Sequence, residues 1–275
     1  MSSTSQGSST RPKARWTGER GKLRVATEVL YCGAFYALYT VVRNSQGSNR
    51  GSKQQAFTNA ERIIRWEKAL AMYVERQAQE AFLGAKWLFQ FLNTWYGTAH
   101  FIVTFIAFAW CFLRRPDRYR RVRNTIGVMT ALALIGFAFF PLMPPRLLPL
   151  SYGYVDSLKT FGGPWSFESG PVARVSNQYA AMPSLHFGWS TWCTYTLWPW
   201  AQNARTGVRQ WIRFALLVAY PFVTLFAIVV TANHYVLDAA GGLVVFVIGL
   251  WVGKWIDRAA VIDRVRLRAR VDTEQ

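Results

Sequence analysis

Histidine and cysteine are nearly missing: each occurs three times in 275 residues. Cys32, Cys111 and Cys193 all lie inside apolar runs. Their odd number and wide spacing exclude a disulfide framework and a cysteine-based metal motif. Acidic residues are scarce as well. Only 14 Asp and Glu stand against 32 Lys and Arg, for a net charge of +18. Such an excess points to an anionic partner, either nucleic acid or a membrane surface. The basic residues, however, are split among short joints and form no basic domain that could track a phosphate backbone, so no nucleic-acid partner is expected. Lysine is scarce beside arginine, 7 against 25, a bias that fits a GC-rich, bacterial genome.

What the chain has in abundance is apolar length. Hydrophobic residues make up 52%, gathered in runs near twenty residues, long enough to cross a bilayer as helices. Six such spans are read: Leu23–Val42, Lys86–Leu113, Thr125–Met143, Phe187–Trp200, Phe214–Thr231 and Ala239–Ile256. The fourth is short. The first ends in Arg43 without a small-residue cleavage site, so it is not read as a secretory signal. The expected fold is all-α, a polytopic six-transmembrane helix bundle over residues 23–258. A disordered basic tail (1–22) precedes it and a basic tail (259–275) follows it.

Arginine orients this bundle, because basic joints stay cytoplasmic. Arg11–Arg24, the joint "RRPDRYRRVR", the joint with Arg205, Arg209 and Arg213, and the tail from Lys254 all fall on one side of an alternating topology. Both termini are therefore expected inside a plasma membrane. Residues 44–86 resist, since they are basic yet fall outside. There Ile63, Ile64, Trp66, Leu70, Tyr73 and Val74 recur near a helical period, which reads as an amphipathic interfacial helix over 59–84. Three distant stretches then share the extracytoplasmic face: "PLMPPRLLP" (141–149), "MPSLH" (182–186) and "TANHYVLD" (231–238).

Two of the three histidines sit in these stretches. A polar residue at a span end proves little by itself. His234 and Asp238, however, are four apart at a helix start and share a face. A carboxylate on one ring nitrogen fixes the tautomer and leaves the other nitrogen basic and nucleophilic. His186 can donate a proton, and Arg146 offers a rigid fork for phosphate oxygens. Nucleophile, orienting acid, proton donor and anion clamp together suit phosphoryl transfer. No metal and no cofactor are needed for in-line attack by histidine, and none is expected. His100, inside the second span, either holds substrate or is a satisfied core histidine. Asp156 and Asn177 lie in the loop 144–183, long enough to shape an acceptor pocket or lid.

The strings "NQYAAMPSLHFGWS" and "TANHYVLDAAGG", with "PPRLLP" upstream, resemble the type 2 phosphatidic acid phosphatase superfamily. They look closer to its branch of inositol phosphorylceramide synthases, over roughly residues 59–245. The resemblance implies that His234 attacks phosphorus to form a phosphohistidine, with Asp238 orienting it and His186 as general acid. Arg146 and the motif serine, Ser184, would bind the phosphate. The chain departs from the pattern at Phe139 (usually Lys), Leu147 (usually Pro), Leu185 (usually Gly) and Ala227-Ile228 (usually Ser-Arg). Two phosphate-binding cations are thus replaced, which favours a phosphodiester donor over a doubly charged monoester. The expected function is a lipid-phosphate phosphatase or phosphotransferase at the extracytoplasmic face. Its partners would be a lipid-linked phosphate, membrane lipids and a polyol or lipid alcohol acceptor. A non-catalytic membrane scaffold and, more remotely, a bis-histidine haem protein are the alternatives.

Overall fold

The structure, a computed structural model, describes residues 50–162, 178–204 and 207–273, with scattered positions between 25 and 40. The chain divides after Val42. In the first unit the described positions, among them Val25, Glu28 and Leu30, are helical. The rest of the expected first span lies outside the described residues, as does the tail 1–22.

The second unit runs through α1 (Arg50–Ala69), α2 (Glu75–Phe82), α3 (Lys86–Arg114) and α4 (Pro116–Phe139). Two 3₁₀ turns (Pro145–Leu147 and Leu150–Tyr152) and α5 (Ser157–Phe161) follow, then α6 (Leu185–Gln202), α7 (Val208–Val230) and α8 (Val236–Thr273). No strand occurs among the described residues, only an isolated bridge between Leu142 and Ala180. The all-α expectation stands.

Four helices are long and apolar enough to cross a membrane: α3, α4, α7 and α8 over Val236–Arg258. These make a multi-pass membrane protein. The expected fourth span coincides with α6, but its eighteen residues carry Ser190, Thr191, Thr194 and Thr196 and fall short of that apolarity. The six-span expectation therefore reduces to four spans among the described residues. Large side chains on the spans point outward, including Phe105 (75% exposed), Phe139 (80%) and Trp251 (71%). In water such a surface would aggregate; in a bilayer it faces lipid.

The helix ends follow local chemistry. α4 begins with Pro116 at its first turn and Asp117 beside it, a favoured N-terminal pattern. It therefore starts before the expected Thr125, and part of the arginine joint is itself helical. Arg120 reaches Asp257 on α8 at 2.7 Å. The backbone of α8 continues to Thr273, past the expected end at Ile256.

The segment read as one interfacial helix over 59–84 is two helices. The chain breaks at Ala71, which takes a left-handed φ of 53°. Trp66 and Leu70 are exposed, but Ala56, Ala60, Ile63 and Ile64 are buried. They pack against Leu142, Met143, Tyr154, Tyr179, Ala181, Ala232 and Tyr235. The apolar face of α1 therefore closes over the loops that carry the site.

Membrane helices gain little from hydrophobic burial against one another, so close approach through small residues supplies the packing. The "GGLVVFVIG" stretch of α8 behaves this way. A Cβ on Gly249 would meet the Thr125 carbonyl at 2.8 Å, and one on Gly253 would meet Thr125 Oγ1 at 2.8 Å. At Gly242 a Cβ would run into the carbonyl oxygen of Ser184, the residue that starts α6. Gly127 in α4 has open space around it. Overpacking a tight site costs about 1–3 kcal/mol, whereas Gly→Ala in an open helix position gains up to about 1 kcal/mol. Gly242→Ala should therefore lower the melting temperature of the detergent-solubilised protein, while Gly127→Ala should leave it unchanged or raise it.

Candidate active site

The site grows from the turn between α7 and α8. Ala232 adopts a left-handed φ of 55° and reverses the chain. The carbonyl of Ile228 accepts from the Asn233 and His234 amides at 3.0 and 3.1 Å, which closes the turn. α8 then starts with amides that have no partner within the helix. The Tyr235 N–H donates to Asp238 Oδ2 at 3.0 Å, an acid at the third helical position reaching back to its own N-terminus. The Val236 N–H donates to Glu75 Oε1 at 2.9 Å and the Leu237 N–H to Glu67 Oε1 at 2.8 Å.

His234 projects from this turn, and its Nδ1 lies 3.2 Å from the same Asp238 Oδ2. A carboxylate only accepts, so Nδ1 carries the proton and Nε2 keeps its lone pair. Asp238 is fully buried and His234 is 4% exposed. His234 Nε2 has no hydrogen-bond partner among the described residues.

The second stretch is bonded directly to the first: the Ser184 N–H donates to the Asp238 carbonyl at 2.8 Å. Ser184 also caps α6, its hydroxyl accepting from the Phe187 N–H at 3.5 Å. This places His186 on the first turn of α6, its ring 5.4 Å from that of His234, centroid to centroid. One phosphoryl group could touch both rings at that separation. Tyr96 of α3 stacks on His186 at 4.1 Å and lies 6.2 Å from His234. His100, one turn further along α3, sits edge-on to His186 at 4.4 Å. Its Nδ1 lies 3.0 Å from the Tyr96 carbonyl, which can only accept, so Nδ1 donates. All three histidines of the chain therefore meet in one place. No group of three His, Cys, Asp or Glu with a geometry suited to a metal ion occurs among the described residues.

Arg146 completes the convergence. Its amide donates to the Ala232 carbonyl at 2.9 Å and its Nε to Asn233 Oδ1 at 2.9 Å. Its Nη1 lies 3.4 Å from both carboxylate oxygens of Asp156. Asn233 is in turn fixed by Thr231 Oγ1 at 2.7 Å. The guanidinium is thus pinned beside the His234 turn with almost no exposure.

A family model described as the PAP2 superfamily matches residues 61–252. The chain belongs to the PAP2 superfamily. It is accordingly a membrane-type phosphatase-family protein. No curated protein and no solved structure matches it significantly.

Within this superfamily member, His234, Asp238, His186, Ser184, Arg146 and His100 are drawn together from α3, α6, α8 and the loop after α4. Asp156 joins them in another capacity: it pairs with Arg146 and caps α5, accepting from the Lys159 N–H at 3.4 Å. Asn177 lies outside the described residues. Two of the departures from the superfamily pattern have a structural setting. Leu185 replaces glycine where no left-handed backbone is required, since only Ala71 and Ala232 among the described non-glycine residues have positive φ. Ala227 and Ile228 are fully buried core residues, and Ile228 contributes only its carbonyl to the turn.

Sequence reasoning missed Tyr96, Asn233, Glu67 and Glu75. Tyr96 could have been found four residues before His100 on the same helix face. Asn233 directly precedes His234, but nothing in the sequence pairs it with Arg146.

Removing one partner of a buried ion pair strands the other charge, at a cost of about 3–5 kcal/mol. Asp156→Ala should therefore lower the melting temperature steeply. Breaking the exposed Arg76–Glu80 pair (2.7 Å) with Arg76→Ala should leave it nearly unchanged. Equal effects from the two variants would contradict the assignment of Arg146 and Asp156 as a buried pair.

Proposed function

We propose that the protein transfers the phosphoryl group of a lipid phosphate, bare or substituted, through a covalent intermediate on His234. The observation that carries this reading is the arrangement Asp238–His234–His186. A fully buried carboxylate fixes one nitrogen of His234 at 3.2 Å while a second imidazole stands 5.4 Å away, ring to ring.

In the first step His234 Nε2 attacks phosphorus. The P–N bond forms and the P–O bond to the leaving group breaks, its electron pair departing with oxygen. His186 gives that oxygen a proton. Asp238 accepts the Nδ1–H bond and steadies the cationic ring. In the second step an acceptor hydroxyl attacks phosphorus and gives its proton to His186, and the P–N electron pair returns to Nε2. Water as acceptor makes a phosphatase; a polyol or lipid alcohol makes a transferase.

Transfer of the inositol phosphorylceramide synthase type is favoured over simple monoester hydrolysis. The two positions that would hold further phosphate-binding cations carry Phe139 and Ile228, and the charge of Arg146 is already shared with Asp156. A monoester dianion would find little compensation here. A phosphodiester monoanion needs less. We place this transfer at the extracytoplasmic face, a reading the arginine pattern supports.

The test is a thin-layer or mass-spectrometric assay with labelled lipid donors, with and without inositol or lipid alcohol acceptors. A new phosphodiester is expected; free phosphate alone would make the protein a phosphatase. His234→Ala should lower turnover by about 10³-fold or more. Unchanged turnover would favour a scaffold that merely keeps the fold. Activity should persist in a chelator; loss on chelation with rescue by zinc would overturn the mechanism.

A further inference from the structure

We propose that Glu67 and Glu75 form a proton-sharing pair that positions His234 by holding the first amides of α8. The proposal rests on the reading of His234 as the phosphoryl-carrying residue. It concerns two side chains bonded to the backbone of the α8 turn.

The geometry is specific. Glu67 comes from the end of α1 and Glu75 from the start of α2, across the break at Ala71. Both are fully buried. Their Oε1 atoms accept from Leu237 and Val236 at 2.8 and 2.9 Å, the two residues between Tyr235 and Asp238. Two carboxyls from separate helices thus hold consecutive amides of the turn that bears the His234–Asp238 pair. Neither Oε2 finds a donor elsewhere among the described residues. The two carboxyls lie side by side, so a proton held by one can be shared with the other. Such a bond needs one proton, because two carboxylates can only accept.

The surroundings favour that proton. Burial is the largest influence and raises both carboxyls above the usual carboxylate range. The groups facing the pair are Asp238 and Tyr235 at the α8 turn and Tyr154 of the loop, which donates to Tyr73 at 3.0 Å. All are neutral or negative at neutral pH, so none offsets a second negative charge. The pair therefore stays singly charged: anionic enough to suit a helix N-terminus, and protonated enough to hold itself together.

The sign of the pH dependence follows. A carboxyl whose folded-state pKa is raised contributes stability that is present at low and neutral pH and is lost as pH rises through the raised value. Above it, two adjacent carboxylates repel, the amides of Val236 and Leu237 lose their fixed partners, and His234 loses its aim. Glutamine at position 67 imitates the protonated member permanently. Its carbonyl still accepts from the Leu237 N–H, and its amide donates to Glu75.

The experiment uses the full chain purified in detergent, as wild type, E67Q and E67A. Infrared spectra across neutral to alkaline pH read the protonated-carboxyl stretch. Melting temperature is followed over the same range, and kcat and KM are measured with labelled phosphatidylinositol, a phosphodiester donor, and a lipid alcohol acceptor in mixed micelles. In wild type, a protonated-carboxyl band present at neutral pH should disappear on alkalinisation, together with a fall in melting temperature and in kcat. E67Q should lack the band and the alkaline fall. E67A should lose about tenfold or more in kcat with KM within about twofold, and E67Q should recover most of that loss. A wild type without the band at neutral pH, or an E67Q variant with the wild-type alkaline fall, would overturn the proposal. The E67Q profile decides the matter even if E67A does not fold. If the band and the melting behaviour hold but no lipid phosphate is turned over, the phosphoryl-transfer reading fails and the pair remains the device that fixes the α8 turn.

Discussion

The first turn of α8 is the constraint on which the rest of the site depends. A helix N-terminus presents amides without intrahelical partners, and burying them unpaired is costly. Here three consecutive amides, of Tyr235, Val236 and Leu237, are each met by a carboxyl oxygen, from Asp238, Glu75 and Glu67. The same Asp238 oxygen that closes the turn also orients His234. Helix capping and imidazole orientation are therefore one interaction. A change in the turn bears directly on the orientation of the His234 ring.

The surrounding architecture delivers partners to that turn by backbone bonds. The Asp238 carbonyl accepts from Ser184, which starts α6 and so sets His186. The Ala232 carbonyl accepts from Arg146. Gly242, one turn beyond Asp238, lets the start of α6 come close enough for the first of these bonds. Small residues in the bundle and polar chemistry at its end thus serve the same geometry. Long apolar helices supply depth and lipid exposure, while the short turns between them carry most of the candidate site.

Much of this was legible in the sequence. The four-residue spacing of His234 and Asp238 gave their shared face, and the three stretches expected on one face do meet through backbone bonds. The apolar runs gave α3, α4, α7 and α8. What the sequence hid were polar groups whose partners are backbone atoms. Glu67 and Glu75 occupy the polar face of an amphipathic pattern, where a buried acid pair and a solvated one look alike. Asp156 was expected at substrate, but a carboxylate ten residues from Arg146 carries no sign that it will be its counter-ion. The start of α4 was misplaced because hydropathy ends at charged residues, whereas a helix continues through arginines whose long side chains can reach Asp257. The shortfall of α6 has a similar origin, since hydroxyls bonded to carbonyls of their own helix, such as Thr191 to Phe187 at 3.0 Å, count against apolarity without disturbing the helix.

The central claim is that the arrangement around His234 makes its outer nitrogen a carrier of phosphorus between two oxygens. The most direct measurement is to quench the enzyme under alkaline conditions during turnover of a phosphorus-labelled lipid donor and map the label by peptide mass spectrometry. The account predicts an acid-labile label on His234, formed and discharged at rates compatible with turnover. Product formation with no label on His234 at any time, or with the label on another residue, would contradict it.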